Sequence, residues 1–122
     1  MKILVLHAER NRQSGDIVGF KEVASVDVTG IGGTTTDLLE YAYRWTNNVM
    51  GSWSIKKEYL EGIGENGDYN TDVTVLNPRE DGYGQRSTMM GDRMIISDID
   101  PARLEQDGAT YEVSMIGFKE VA

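Results

Sequence analysis

The stretch from Asp37 to Asn47 constrains the fold most, because its apolar residues recur at helical spacing. Leu38, Tyr41, Ala42 and Trp45 return to one face of a helix over about Asp37 to Asn47. Asp37 with Glu40 three residues later predicts a reciprocal cap, and Arg44 suits the negative end of the helix dipole. The other apolar runs are short. Lys2 to His7 holds Ile3 and Val5 and reads as a buried first strand, after which Glu9 to Gly15 is a loop. Phe20, Val23, Val26 and Val28 predict a second strand that forms a hairpin with the first, with an imperfect alternation that marks a bulge. Short strands are expected at Val73 to Leu76, Arg93 to Ser97 and Thr110 to Phe118. Asp98 to Gly108 joins the last two, with a short helical turn at Pro101 and a tight turn at Asp107-Gly108. The expected fold is α+β, a small and mostly antiparallel sheet packed against one main helix.

Size and charge narrow the functional classes. The 122 residues suffice for one domain with a real core. Absence of cysteine removes disulfides, thiolate metal sites and cysteine nucleophiles. The four apolar residues that open the chain are too few for a signal-peptide core or a membrane span, so a soluble, cytoplasmic protein is expected. Twenty acids against twelve bases give a net charge of −8, which disfavours nucleic acid and anionic membranes as partners. Six acids and one base lie between Glu61 and Tyr83 among several glycines, so that region reads as a mobile acidic loop. The hexapeptide Gly19-Phe20-Lys21-Glu22-Val23-Ala24 recurs as Gly117-Phe118-Lys119-Glu120-Val121-Ala122, as chance or as two similarly placed strands.

The segment Arg86-Ser87-Thr88-Met89-Met90-Gly91-Asp92-Arg93-Met94-Ile95-Ile96, followed by Tyr111-Glu112-Val113 and Gly117-Phe118, resembles a pattern in small phage and plasmid accessory proteins, including YodL-like and KfrB-like domains. Tyr43 to Asn47 and Gly51 to Ser54 are similar to the stretch preceding that pattern. Met90 and the Glu61 to Tyr83 insertion depart from it. The resemblance implies origin in a mobile genetic element, most simply a phage, and carries no common activity. The same residues have a plain physical reading. Gly91-Asp92 turns the chain into a strand, Tyr111 and Val113 alternate on the returning strand, and Gly117 lets it bend before Phe118 enters the core.

Candidate sites fall into two sets. Gly30, Gly32, Gly33 and Thr34 precede the helix, where glycines and the helix dipole suit an anion, with Arg86, Ser87 and Thr88 as further phosphate contacts. The loop lacks the Walker lysine and the third glycine of a dinucleotide fingerprint, and a flexible connector is the bland alternative. Tyr43, Trp53, Tyr59 and Tyr69, with Asp68 and Asp72, are candidates for a protein interface, although Trp45 and Trp53 also suit the core. Asp68 to Asp72 begins like an EF-hand loop, but Val73 and Arg79 occupy the places of its glycine and glutamate. Asp98 and Asp100 could join a hard-cation site but sit beside Pro101, which favours a turn. His7, the only histidine, stands in no catalytic constellation, so no metal, cofactor or catalytic residue is assigned. The leading expectation is an accessory protein that binds, and inhibits or redirects, a host defence protein. A binder that sequesters a nucleotide signal and an uncharacterised enzyme are the alternatives, and a homo-oligomer is open.

Overall fold

The computed structural model describes residues 1–97 and 109–121. Its elements in chain order are β1 (Lys2–Arg10), β2 (Ile17–Asp27), α1 (Thr35–Trp45), β3 (Tyr59–Leu60), β4 (Gly64–Glu65), β5 (Val73–Val75), β6 (Arg93–Ser97), β7 (Ala109–Ser114) and β8 (Gly117–Val121). Six strands form one antiparallel sheet in the order β5-β2-β1-β6-β7-β8, and β3 pairs with β4 in a separate small hairpin. Among the described residues the sheet dominates and α1 is the one helix. The expected connection at Asp98 to Gly108, with Asp98, Asp100 and Pro101, lies outside the described residues, as does Ala122.

The sequence rules explain why these strands pair as they do. Alternation along β1 sends Ile3 and Val5 to the helix side of the sheet, while Leu4 and Leu6 join Ile95, Phe20 and Leu76 on the other. The β1–β2 register jumps from Val5↔Ala24 to Leu6↔Glu22, so Val23 is an extra, bulged residue. That bulge places Val23 and Ala24 together with Val26 in the core under α1, where Leu38, Leu39 and Ala42 meet them. A bulge was expected in β2, and this one accounts for the broken alternation.

Three expectations change. The helix starts earlier, because Thr34 and not Asp37 is its N-cap: Thr34 Oγ1 accepts from Asp37 N, and Asp37 Oδ2 accepts from Thr34 N at 2.8 Å. The single strand expected over Thr110 to Phe118 is a hairpin, since Gly117 at φ 82° turns the chain back after Met115-Ile116. The Glu61 to Tyr83 region is pinned to the fold by buried Asn66 and Asp68 and supplies β4 and β5.

The repeated hexapeptide occupies dissimilar places. Phe20 in β2 sits opposite Ala8 and packs with Leu4 and Leu6, whereas Phe118 in β8 sits opposite Val113 and packs on the helix side. β2 is flanked on both sides and β8 is a sheet edge, so the repeat does not encode a structural pseudo-symmetry.

Candidate functional site

The nucleotide candidates do not converge. The Gly30 end of the chain lies beside Met1, whose carbonyl accepts from Val28 N and whose amine donates to Thr29. Arg86 lies at the other end of β1, donating to the Ala8 carbonyl at 3.2 Å. Seven residues of strand separate the two, roughly 20 Å. Thr34 is occupied as the helix cap, and the Asp37 carboxylate already fills the position an anion would take. Gly33, at φ 110°, is required there because a Cβ would collide with that carboxylate.

Arg86, Ser87 and Thr88 belong to a polar lock at the end of the core. Arg86 Nη1 and Nη2 donate to Asp92 Oδ2 and Oδ1 at 2.7 and 2.8 Å. The fully buried Asp92 carboxylate also accepts from Ala8 N at 2.7 Å and Met89 N at 2.8 Å. Ser87 Oγ accepts from Asn48 N, and Trp53 Nε1 donates to the Arg86 carbonyl. Gly91, at φ 96°, makes the turn that lets Asp92 face back on Arg86. The Arg-Ser-Thr-Met-Met-Gly-Asp segment thereby joins β1, β6 and the loop after α1, which is the fold-determining reading of that motif.

His7 is part of the same lock. Thr46 Oγ1 donates to the Ala42 carbonyl, Thr88 Oγ1 donates to Thr46 Oγ1 at 2.8 Å, and His7 Nε2 lies 3.0 Å from Thr88 Oγ1. Because the carbonyl can only accept, each hydroxyl proton is committed in turn, so His7 is neutral and donates from Nε2. Burial against Trp53 lowers its pKa to about 4; Asp92, 3.9 Å away, opposes that shift and Arg86 adds to it. For Asp92, burial raises the pKa, but the Arg86 fork and the backbone donors outweigh it and hold the carboxyl below its usual range.

These shifts predict a stability profile. Unfolded His7 titrates near 6.5, so it takes a proton between pH 6.5 and about 4 that the folded chain refuses. Stability from His7 is complete above 6.5 and falls as pH drops through that window, by about 3 kcal/mol in all. Asp92 contributes above its ordinary 3.8 and is lost only below it. Urea unfolding at pH 7, 5.5 and 4.5 should show this decline, and His7→Gln should flatten it.

The interface candidates also divide. Trp53 is fully buried and is a core residue. Asp68 is fully buried, accepting from Arg44 Nη1 at 3.1 Å and from the amides of Val49 and Met50 at 2.8 and 2.9 Å. Asp72 is half-buried and accepts from Tyr41 Oη at 2.6 Å. Tyr69 is half-buried with Lys56 Nζ 4.9 Å from its ring centroid, and half-buried Tyr43 packs edge-on to Phe118. Tyr59 alone of the six is exposed.

Tyr59 lines the larger groove of the described surface, about 640 Å³, with Gly51, Ser52, Ile55, Lys57, Leu60, Glu61, Ile63, Gly82 and Tyr83. The groove is built from the β3–β4 hairpin, the 51–57 loop and the chain at Gly82-Tyr83. Asn66 ties the first two together: its Nδ2 donates to the carbonyls of Ser52, Ile55 and Lys57, and its Oδ1 accepts from Ser52 N and Asp68 N. Tyr83 is oriented through its amide, which donates to Asp81, itself paired with Arg79. Tyr59, Ile63 and Tyr83 stay about 70% exposed on this rigid frame. Aromatic and aliphatic side chains held open over a groove of this size fit a binding site. Sequence reading missed Ile63 and Asn66; the Glu61-Gly62-Ile63-Gly64 turn was the available signal for the hairpin.

Among the described residues no helix is long and apolar enough to cross a membrane. No protein-family model matches this chain, and neither does any curated protein or solved structure.

Proposed function

We propose that this chain is a mobile-element accessory protein that acts by binding a host protein, with the Tyr59–Ile63–Tyr83 groove as its docking site. The observation that carries this reading is the groove itself: three large apolar side chains exposed on a frame fixed by Asn66. Tyrosine supplies broad contact area at low entropic cost and is enriched among residues that dominate protein interfaces. The exposed acids Glu58, Glu61 and Glu65 border the groove against Lys57, so a partner segment that is apolar with basic flanks is the best match. The phage origin rests on the sequence resemblance. Inhibition of a defence system is the activity that such a binder would serve.

The test is a comparison of two immobilised forms, wild type and the double variant Tyr59→Ala/Ile63→Ser, each exposed to bacterial lysate. Both changes are on exposed side chains, so Tm should move by only a few degrees. Wild type should retain a host protein in stoichiometric amount, and the variant should lose about tenfold or more of it. Equal retention by both forms would remove the groove from the proposal.

A further inference from the structure

A second surface lies at the end of the sheet remote from Gly30. β1 runs toward that end and β2 starts there, so the Arg10–Ile17 connection is at its tip. β6 begins at Arg93, opposite Leu6, and leaves a gap beyond it that Met89, Met90 and Gly91 fill. There Arg10 Nη2 reaches the Met90 carbonyl, and Gly91 N donates to the Val113 carbonyl. The β7–β8 turn, Met115-Ile116, emerges at the same end. Three connections therefore meet in one surface, and each carries exposed apolar side chains: Ile17 and Val18, Met89 and Met90, Met115 and Ile116. Ile116 is 95% and Met115 82% exposed, the two highest values among the exposed large hydrophobics. Soluble monomers rarely leave such a contiguous patch open.

Charge identifies the occupant. The loops of this end contain Glu9, Arg10, Arg12 and Asp16, two acids and two bases that sum to zero, in a chain of net charge −8. A basic partner is drawn to the rest of the surface and not to this end. Two acidic copies can approach here without net repulsion, and both signs on one loop suit a contact that is the same on each side. The shape is reciprocal as well. Met115-Ile116 project as a knob, and Ile17, Val18 and Met90 form a platform about three strand spacings away, roughly 14 Å. A two-fold axis between them, near Met89, seats each copy's knob on the other's platform.

We infer that two copies of this chain associate end to end through Met115-Ile116 of each and Ile17, Val18 and Met90 of the other. This surface is separate from the groove, and either can fail without the other.

Sedimentation velocity over about 1 to 100 μM tests the inference, a range that covers micromolar dissociation constants. The mass should rise with concentration from 13.6 kDa toward twice that value. Ile116→Glu should weaken association about tenfold or more with an unchanged circular dichroism spectrum, and Ile116→Leu should leave it intact. Val18→Asp, on the platform, should give the same loss. Mixing the Ile116→Glu and Val18→Asp variants should recover part of the association, because one knob and its platform remain whole. A single 13.6 kDa species at the highest concentration would overturn the proposal and leave the end to an unrelated protein. So would a dimer indifferent to Ile116→Glu, or a mixture no stronger than its components.

Discussion

Asp92→Ala is expected to lower the free energy of unfolding by about 3–5 kcal/mol, a large share of the ~5–15 kcal/mol typical of a domain. Two effects add. The change strands the Ala8 and Met89 amides, each of which costs about 1–3 kcal/mol when left buried and unpaired. It also frees Arg86, whose fork is the link between the 86–92 segment and β1. Arg86 is part exposed and can turn to water, so its share is the smaller one. Asp92→Asn should cost less, because one oxygen can still accept while the new amide faces a donor. Urea unfolding at pH 7 measures both. A loss below about 1 kcal/mol for Asp92→Ala would mean the lock is not what holds this end of the sheet.

Asp68→Lys should be comparably severe and should prevent folding at physiological temperature. Asp68 is the acceptor for both amides of the chain turning out of α1, at Val49 and Met50, and its other oxygen meets Arg44. A lysine there loses three hydrogen bonds and buries a cation beside the Arg44 guanidinium. The milder Asp68→Asn keeps one acceptor and should cost about 2–3 kcal/mol, read as a Tm drop of about 5–15 °C. Neither variant can serve as a probe of partner binding, since both act through the fold. Tyr59 and Ile63 are the positions where binding can be changed while the fold is kept.

Legibility in the sequence followed locality. α1, the β1–β2 hairpin, β5 and β6 rest on residues close in sequence, such as Leu38, Ala42 and Trp45 at helical spacing or Ile3 and Val5 in alternation. Their existence was readable and their ends moved by a few residues. The buried acids were not readable. Asp68 looks like any loop acid until Val49 and Met50, far back in the chain, aim their amides at it. Asp92 looks like half of a turn until Arg86 and Ala8 arrive. Trp53 stands in a stretch with no period, and its burial depends on His7 and the Arg86 carbonyl. Gly33 and Thr34 illustrate the opposite error: a sequence shaped for anions is explained by a cap that Asp37 has already closed.

The groove and the apolar end describe a chain with two exposed contact surfaces on a frame whose polar groups are turned inward. Native mass spectrometry of the purified chain, incubated with bacterial lysate split into small-molecule and protein fractions, tests whether binding is directed at proteins. A protein-sized mass gain is expected with the protein fraction, absent in Tyr59→Ala/Ile63→Ser. A nucleotide-sized gain from the small-molecule fraction, retained in that variant, would refute the protein-binding reading and restore a small-molecule function.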